Sequence, residues 1–242
     1  MRSIESKVRK AAETYGMIQE GDRIAVGISG GKDSLVLLSA LAGLRRYYPA
    51  RFDVCGITID GRFGGGDTDF SAVEALCGQL GVPYYIRRTD MKHIVFDVRG
   101  EKNPCSLCAR MRRGALHDIA VEHGCNKLAL GHHMDDFVET FFMNLFNEGR
   151  IASIPPVAYL SRKSIYAIRP LLLCTEQETA AAAARNALPV VRSGCPRDGH
   201  SERERVKQYI KEMDREYPGF LTRSFGALVR GDISGLGHHA SR

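Results

Sequence analysis

The residues Ser29-Gly30-Gly31-Lys32-Asp33-Ser34 stand between an apolar run, Arg23 to Ile28, and a second apolar pattern at helical spacing, Leu37, Leu41 and Leu44. A strand ending near Ile28, two glycines and a helix starting near Asp33 aim several backbone N–H groups from the positive end of a helix dipole, which makes an anion cradle. Gly30 and Gly31 permit close backbone approach, Lys32 adds a mobile point charge, and the hydroxyls of Ser29 and Ser34 can donate to phosphate oxygens. The spacing is not that of a Walker A loop, because Asp33, not Ser or Thr, follows the lysine. A plain strand-to-helix turn with a serine cap is the alternative, and six specified residues in this setting weigh against it.

Cys105 and Cys108 frame a tight turn at metal-ligand spacing, followed by a helical stretch with Arg110, Arg112 and Arg113. A single Cys-x-x-Cys fits half a zinc site, a redox pair or part of an iron–sulfur cluster. The later cysteine in a similarly turn-rich, basic setting is Cys195, in VVRSGCPRDGH. Three thiolates suit a cluster with one iron left open, while His200 or a nearby His would complete a zinc site. Cys55, Cys77, Cys125 and Cys174 sit among apolar neighbours and read as small buried hydrophobes.

A third group, Gly131-His132-His133-Met134-Asp135-Asp136, follows the apolar run NKLALG and precedes Phe137, Phe141 and Leu145 at helical spacing. Carboxylates at a helix start are common caps, and paired histidines are common turn residues. Their place beyond the carboxyl end of a strand, on the rim of the phosphate cradle, favours a role near the nucleotide through Mg²⁺.

The elements that position these groups alternate. The segments 23–28, 52–59, 83–88, 126–131 and 164–168 read as buried strands, with helical patterns between them, which predicts an α/β fold: a parallel sheet flanked by helices on both faces. From about Glu176 the chain reads as helical and charged, so residues 1–175 are expected to form the nucleotide-binding domain and 176–242 a C-terminal helical extension carrying Cys195. GRFGGGDTDF (61–70) has the glycine content of a mobile loop, and the tail 231–242 reads as a flexible end. The 242 residues carry 34 Lys and Arg against 28 Asp and Glu, and 25 of the basic residues are arginine, which favours a polyanionic partner because guanidinium groups match phosphate bidentately. Seven cysteines, an odd number after a charged amphipathic start, argue against a disulfide framework. With no apolar run near 18 residues and no signal-peptide pattern, a soluble cytoplasmic protein is expected.

The segment Ser29 to Ser34 resembles the PP-loop of the ATP pyrophosphatase superfamily, whose members cut ATP between the α and β phosphates and leave AMP on a substrate oxygen. Together with CSLCARMRRGALHDIA, LALGHHMDDFVETFFMNLF, IRPLLLC and REYPGF, it is similar to the tRNA 2-thiocytidine synthetase group of those enzymes over about residues 1–230. The resemblance implies ATP, Mg²⁺ and a four-iron [4Fe–4S] cluster as cofactors. It implies tRNA as substrate and a sulfur donor, either sulfide or a cysteine desulfurase product, and it is compatible with a homodimer. Carried over, Cys105, Cys108 and Cys195 are the cluster ligands. Ser29, Gly30, Gly31, Lys32, Asp33, Ser34, Gly131, His132 and Asp135 hold the nucleotide, and Lys32, Asp33, Asp135 and Asp136 serve the chemistry. Where better-known members carry a second Pro-Cys-x-x-Cys near the third ligand, this chain keeps one cysteine. Uridine thiolation and attachment of an amine to cytidine are the neighbouring reactions, and a non-catalytic nucleotide-binding redox sensor is the reading from another class.

Overall fold

The structure, a computed structural model, describes residues 1–98, 104–191, 194–195 and 202–237. Six strands form one sheet in the order β3-β2-β1-β4-β6-β5. They are β1 (Asp22–Gly27), β2 (Phe52–Asp60), β3 (Tyr84–Arg88), β4 (Lys127–Ala129), β5 (Val157–Leu160) and β6 (Ile165–Ile168). The first five positions in that order are parallel, with Val26 opposite Gly56 on one side and Ala129 on the other. β5 runs antiparallel at the edge, pairing Tyr159 with Tyr166. The sheet is therefore mixed rather than wholly parallel, and the sequence reading had no strand at 157–160. Parallel strands need a crossover between them, but β5 returns to β6 through a short turn in which Ser164 adopts φ 52°.

Helices cover both faces, which is why β1 and β2 are apolar on alternate residues of both parities. Ile24, Val26 and Val54 face a core shared with α1 (Arg2–Thr14), α2 (Lys32–Leu44) and α5 (Met134–Glu148), while Ala25, Cys55 and Ile57 face a smaller core against α4 (Pro104–Glu122). α2 is buried from Ser34 to Leu44 apart from Gly43, since it lies between the sheet, α1 and α6 (Glu176–Arg185). α3 (Ser71–Gln79) follows the glycine-rich loop, and a short π-helical turn, His93–Val98, precedes α4.

The C-terminal helices α6, α7 (Glu202–Glu216) and α8 (Phe220–Arg230) contribute Ala182, Val206, Ile210, Phe225 and Leu228 to the larger core. The tail was expected to be a flexible end, and up to Gly237 it is not. Leu236 is fully buried, Tyr15 Oη donates to its carbonyl at 2.8 Å, and Ser153 N–H donates to Ser234 Oγ at 2.9 Å. Residues 238–242 and His200 lie outside the described residues. No described helix is long and apolar enough to cross a membrane.

Candidate active site

Strand order reverses between β1 and β4: the chain winds outward through β2 and β3, then returns to start β4 on the other side of β1. A crevice opens beyond the carboxyl ends of such a strand pair. The loops leaving both strands carry the sequence-predicted residues, so topology brings Ser29–Ser34 and Gly131–Asp136 together. The starts of α2, α5 and α6 converge there. Glu176 N–H donates to Asp135 Oδ2 at 2.8 Å, and Thr179 Oγ1 donates to Asp33 Oδ1 at 2.5 Å, so carboxylates near the start of one helix tie down the start of the next. All three first turns are acidic, and carboxylates accept backbone N–H groups at the starts of α5 and α6, from His133 and Glu176, whereas no side chain caps the start of α2 among the described residues.

The loop after β1 is folded on its own serines. Ser34 Oγ donates to the Gly31 carbonyl at 2.8 Å and accepts from Ser29 N–H at 3.2 Å, while Gly31 N–H donates to Ser29 Oγ at 3.2 Å. Gly30 has φ +85°, open to glycine and costly to other residues. Gly131 is needed for a different reason: a Cβ there would lie 3.1 Å from Ser34 N, so the β4 loop could not approach the start of α2.

A cavity of about 490 Å³ opens against these loops, a size suited to a nucleotide. Ser29, Gly31, Asp33, Ser34, Gly131, His132 and Asp136 line it. Lys32, Gly30 and Asp135 stand behind the wall. Lys32 Nζ is held 3.0 Å from Asp33 Oδ2 and 3.2 Å from Glu176 Oε1. Burial lowers the Lys32 pKa, and the two carboxylates outweigh it and raise it. Burial acts on Glu176 in the opposite sense, and Lys207 and Lys32 outweigh it and hold that carboxyl at about 2.

His133 caps α5, with its N–H donating to Asp136 Oδ2 at 2.9 Å. Its ring lies among three carboxylates, Nδ1 being 3.5 Å from Asp135 Oδ2 and 3.4 Å from Asp136 Oδ2, and Nε2 being 3.9 Å from Asp33 Oδ2. His132 is driven the other way: burial, opposed by Asp136, takes it down to about 4, so it is neutral at pH 7, and its Nδ1 is buried without a hydrogen-bond partner among the described residues. Asp136 thus has capping work as well as a place at the cavity, while Asp135 ties α5 to the start of α6 behind its wall.

Arg203 of α7 reaches across α5 to Asp136 Oδ1 at 3.3 Å, Glu139 Oε2 at 3.1 Å and Thr140 Oγ1 at 3.1 Å. Glu139 is buried, and burial followed by the charge of Asp136 raises its pKa against the pull of Arg203. Arg203, Lys207, Glu139 and Glu176 all line the cavity, and the sequence reading named none of them as site residues. The capping box Thr175–Glu178 did mark a helix start, yet nothing local says that this start packs on the phosphate loop.

The thiols fall into two groups. Cys55, Cys77, Cys125 and Cys174 are buried in the two cores, as their apolar neighbours suggest, and burial lifts Cys77 to about 11 and Cys174 to about 12. Cys105 is exposed, and Cys108 and Cys195 are partly exposed. Burial raises the Cys108 thiol, Arg112 lowers it, and Cys195 and Cys105 raise it again, which puts each of those two within electrostatic reach of Cys108. Among the described residues no three His, Cys, Asp or Glu side chains gather as ligands of one ion. Three thiolates match the donor chemistry of a four-iron cluster, in which each thiolate binds a separate iron.

Cys195 is also tied to the phosphate loop. Val191 N–H donates to the Gly30 carbonyl at 2.9 Å, and Gly194, with φ +59°, packs so closely on the 61–65 loop that a Cβ would lie 3.3 Å from Gly64 N. From the α4 side, Arg112 lies over the Phe63 ring at 5.6 Å and lines the cavity with Leu116, while Arg110 and Arg113 are exposed. The 61–70 loop is pinned at its base, with Asp60 accepting from Arg62 N–H at 2.9 Å and Thr68 N–H at 2.8 Å.

Residues 2–213 match the PP-loop domain family. Two curated relatives, each a tRNA-cytidine(32) 2-sulfurtransferase, are 40% identical to this chain: that of Syntrophotalea carbinolica over 230 residues, 94% of this chain and 88% of its own length, and that of Geobacter metallireducens over 231 residues, 94% and 89%. Among solved structures, the U34-tRNA thiolase NcsA from Methanococcus maripaludis with its [4Fe-4S] cluster superposes with a TM-score of 0.73 at 26% identity, covering 95% of this chain and 78% of that one.

Proposed function

Because the chain belongs to the PP-loop domain family, we infer that it is an ATP-dependent tRNA thiolase that replaces the C2 oxygen of an anticodon-loop cytidine with sulfur. The observation that carries the reading is the junction of two sites. The loop that cradles phosphate is joined by the Val191–Gly30 hydrogen bond to the segment that leads to Cys195, and Cys195 and Cys105 each act electrostatically on Cys108, which supports a reading in which nucleotide and thiols serve one reaction.

An amide-type carbonyl oxygen is a poor leaving group, and adenylation makes it a good one. In this reading the triphosphate lies along Gly31, Ser29 and Ser34 at the start of α2. The cytidine oxygen attacks the α phosphorus, the bond to the β phosphate breaks, and pyrophosphate departs. A sulfur nucleophile then adds at C2, and the C–O bond breaks with the oxygen leaving on AMP. Lys32 and the α2 dipole stabilise the negative charge of the departing pyrophosphate. His132, neutral and lining the cavity, offers uncharged imidazole there. Arg112 closes the wall on the thiol side. Mg²⁺ needs only one or two carboxylates besides phosphate oxygens, and Asp33, Asp135 and Asp136 are the residues that would offer them. A [4Fe–4S] cluster held by Cys105, Cys108 and Cys195 would supply an iron without a protein thiolate, the chemistry needed to present sulfide-level sulfur to the activated carbon.

Exposed Arg110 and Arg113, next to the thiols, are placed to meet the tRNA backbone. Thiolation of a uridine is the second reading, favoured by the likeness to NcsA. The curated relatives, more similar in sequence, favour cytidine. Nucleoside analysis of tRNA from a deletion strain decides between them: loss of 2-thiocytidine supports the first, and loss of a thiouridine with 2-thiocytidine intact overturns it in favour of the second.

A further inference from the structure

The wall of the cavity contains a cation that the phosphate loop does not supply. Lys207, on α7, lies 2.7 Å from Glu176 Oε1, the same oxygen that stands 3.2 Å from Lys32 Nζ. The two ammonium nitrogens are therefore, by the triangle inequality, within about 6 Å of each other. Lys207 and Glu176 line the cavity together with Gly31, Asp33 and Ser34, and the Lys207 side chain is only 23% exposed. An ammonium carries three donors, and the shared Glu176 oxygen, with Asp33 Oδ2 added for Lys32, leaves donors of both ammoniums for a further anion. A polyphosphate chain brings more charge and more acceptor oxygens to the same spot.

We propose that Lys207 is a second phosphate-binding cation, which together with Lys32 receives the β and γ phosphates of ATP and holds them as pyrophosphate leaves, and that Glu176 is the counter-ion that occupies both ammoniums until the nucleotide displaces it. The inference rests on the AMP-forming reading above. Its chemical content is that α7, which also brings Arg203 to the site, completes a phosphate pocket of which the Ser29–Ser34 loop is only one side. Negative charge grows on the leaving pyrophosphate as the bond to the α phosphorus breaks, and a cation already in place at that end stabilises the transition state without reorganisation.

The test uses the anaerobically prepared full-length enzyme. Binding of inorganic pyrophosphate is measured by calorimetry, and KM for ATP by AMP release, for the wild type, Lys207→Gln, Lys207→Arg and Glu176→Gln. Lys207→Gln should weaken pyrophosphate binding and raise KM by about tenfold to a hundredfold, the loss of one charge-assisted hydrogen bond. Lys207→Arg should restore most of it, which a packing role would not require. Glu176→Gln, by freeing both ammoniums from their competing anion, should tighten pyrophosphate binding severalfold. Unchanged pyrophosphate affinity in Lys207→Gln overturns the proposal, as does a loss confined to tRNA binding. Release of ADP and orthophosphate by the wild type would instead overturn the AMP-forming reading, whatever Lys207 does.

Discussion

Substituting Gly30 by alanine tests the link between the phosphate loop and the third thiol. Gly30 has φ +85°, and an alanine held at positive φ costs about 1–2 kcal/mol. In a chain of this size 1 kcal/mol moves Tm by about 2–4 °C, so backbone strain alone predicts a fall of about 2–8 °C. The added Cβ would also lie 3.0 Å from the Val191 carbonyl oxygen and 3.1 Å from Val191 Cβ, and Val191 N–H is the group that donates to the Gly30 carbonyl. Pushing these apart weakens that hydrogen bond, worth about 1 kcal/mol, and shifts the segment that carries Cys195 four residues later. Gly21→Ala is the matched control: Gly21 has φ +78° and nothing within 4 Å of its Cβ position, so it carries the strain without the contact. Calorimetry with iron and sulfide content per chain, both under anaerobic conditions, should show Gly30→Ala melting below Gly21→Ala and losing iron, while Gly21→Ala keeps its iron. Equal melting temperatures with full iron in both would refute the coupling.

Asp135→Asn and Asp136→Asn should cut ATP turnover far more than stability. If the two residues act only as caps and ties, each variant loses about 0.5–2 kcal/mol in melting experiments and keeps its turnover. Glu176 contributes a pH-dependent increment. Its folded pKa, about 2, lies below the ordinary 4.5, so the stability difference between wild type and Glu176→Gln should be full above pH 4.5 and shrink as pH falls from 4.5 toward 2. Denaturant melts across that range check the sign, and a difference that grows on acidification would contradict it. Alanine at Cys105, Cys108 or Cys195 should abolish the visible absorption of the anaerobic protein and the thiolated nucleoside together. Alanine at Cys55, Cys77, Cys125 or Cys174 should leave both, with modest losses from core packing. Full cluster content and thiolation in Cys195→Ala would leave Cys105 and Cys108 to act as a redox pair.

What the sequence disclosed and what it concealed divide along the range of the interaction. The Ser29–Ser34 loop is built from contacts between residues two to five apart, and the strands 23–28 and 52–59 are apolar because both faces are covered, so both were legible. β5 was not: it is only four residues long, begins directly after Pro155 and Pro156, lies at the sheet edge, and leaves Tyr159 56% exposed. Leu236 looked like part of a tail because its anchoring depends on Tyr15, 221 residues away. The cation-bearing half of the site was hidden for the same reason. Thr179 meets Asp33 across 146 residues and Arg203 meets Glu139 across 64, and α7 reads by itself as a solvated charged helix. Exposed Cys105, partly exposed Cys108 and Cys195, and the four buried thiols, by contrast, differed already in their neighbours.

The central claim is one reaction with fixed stoichiometry, and a single experiment reads it. Purified enzyme with its cluster reconstituted under anaerobic conditions is given ATP, Mg²⁺, inorganic sulfide and unmodified tRNA, and the nucleotides and digested nucleosides are quantified together. AMP, pyrophosphate and 2-thiocytidine should appear in equal amounts, each dependent on tRNA. ADP with orthophosphate, or AMP and pyrophosphate without 2-thiocytidine, would contradict it.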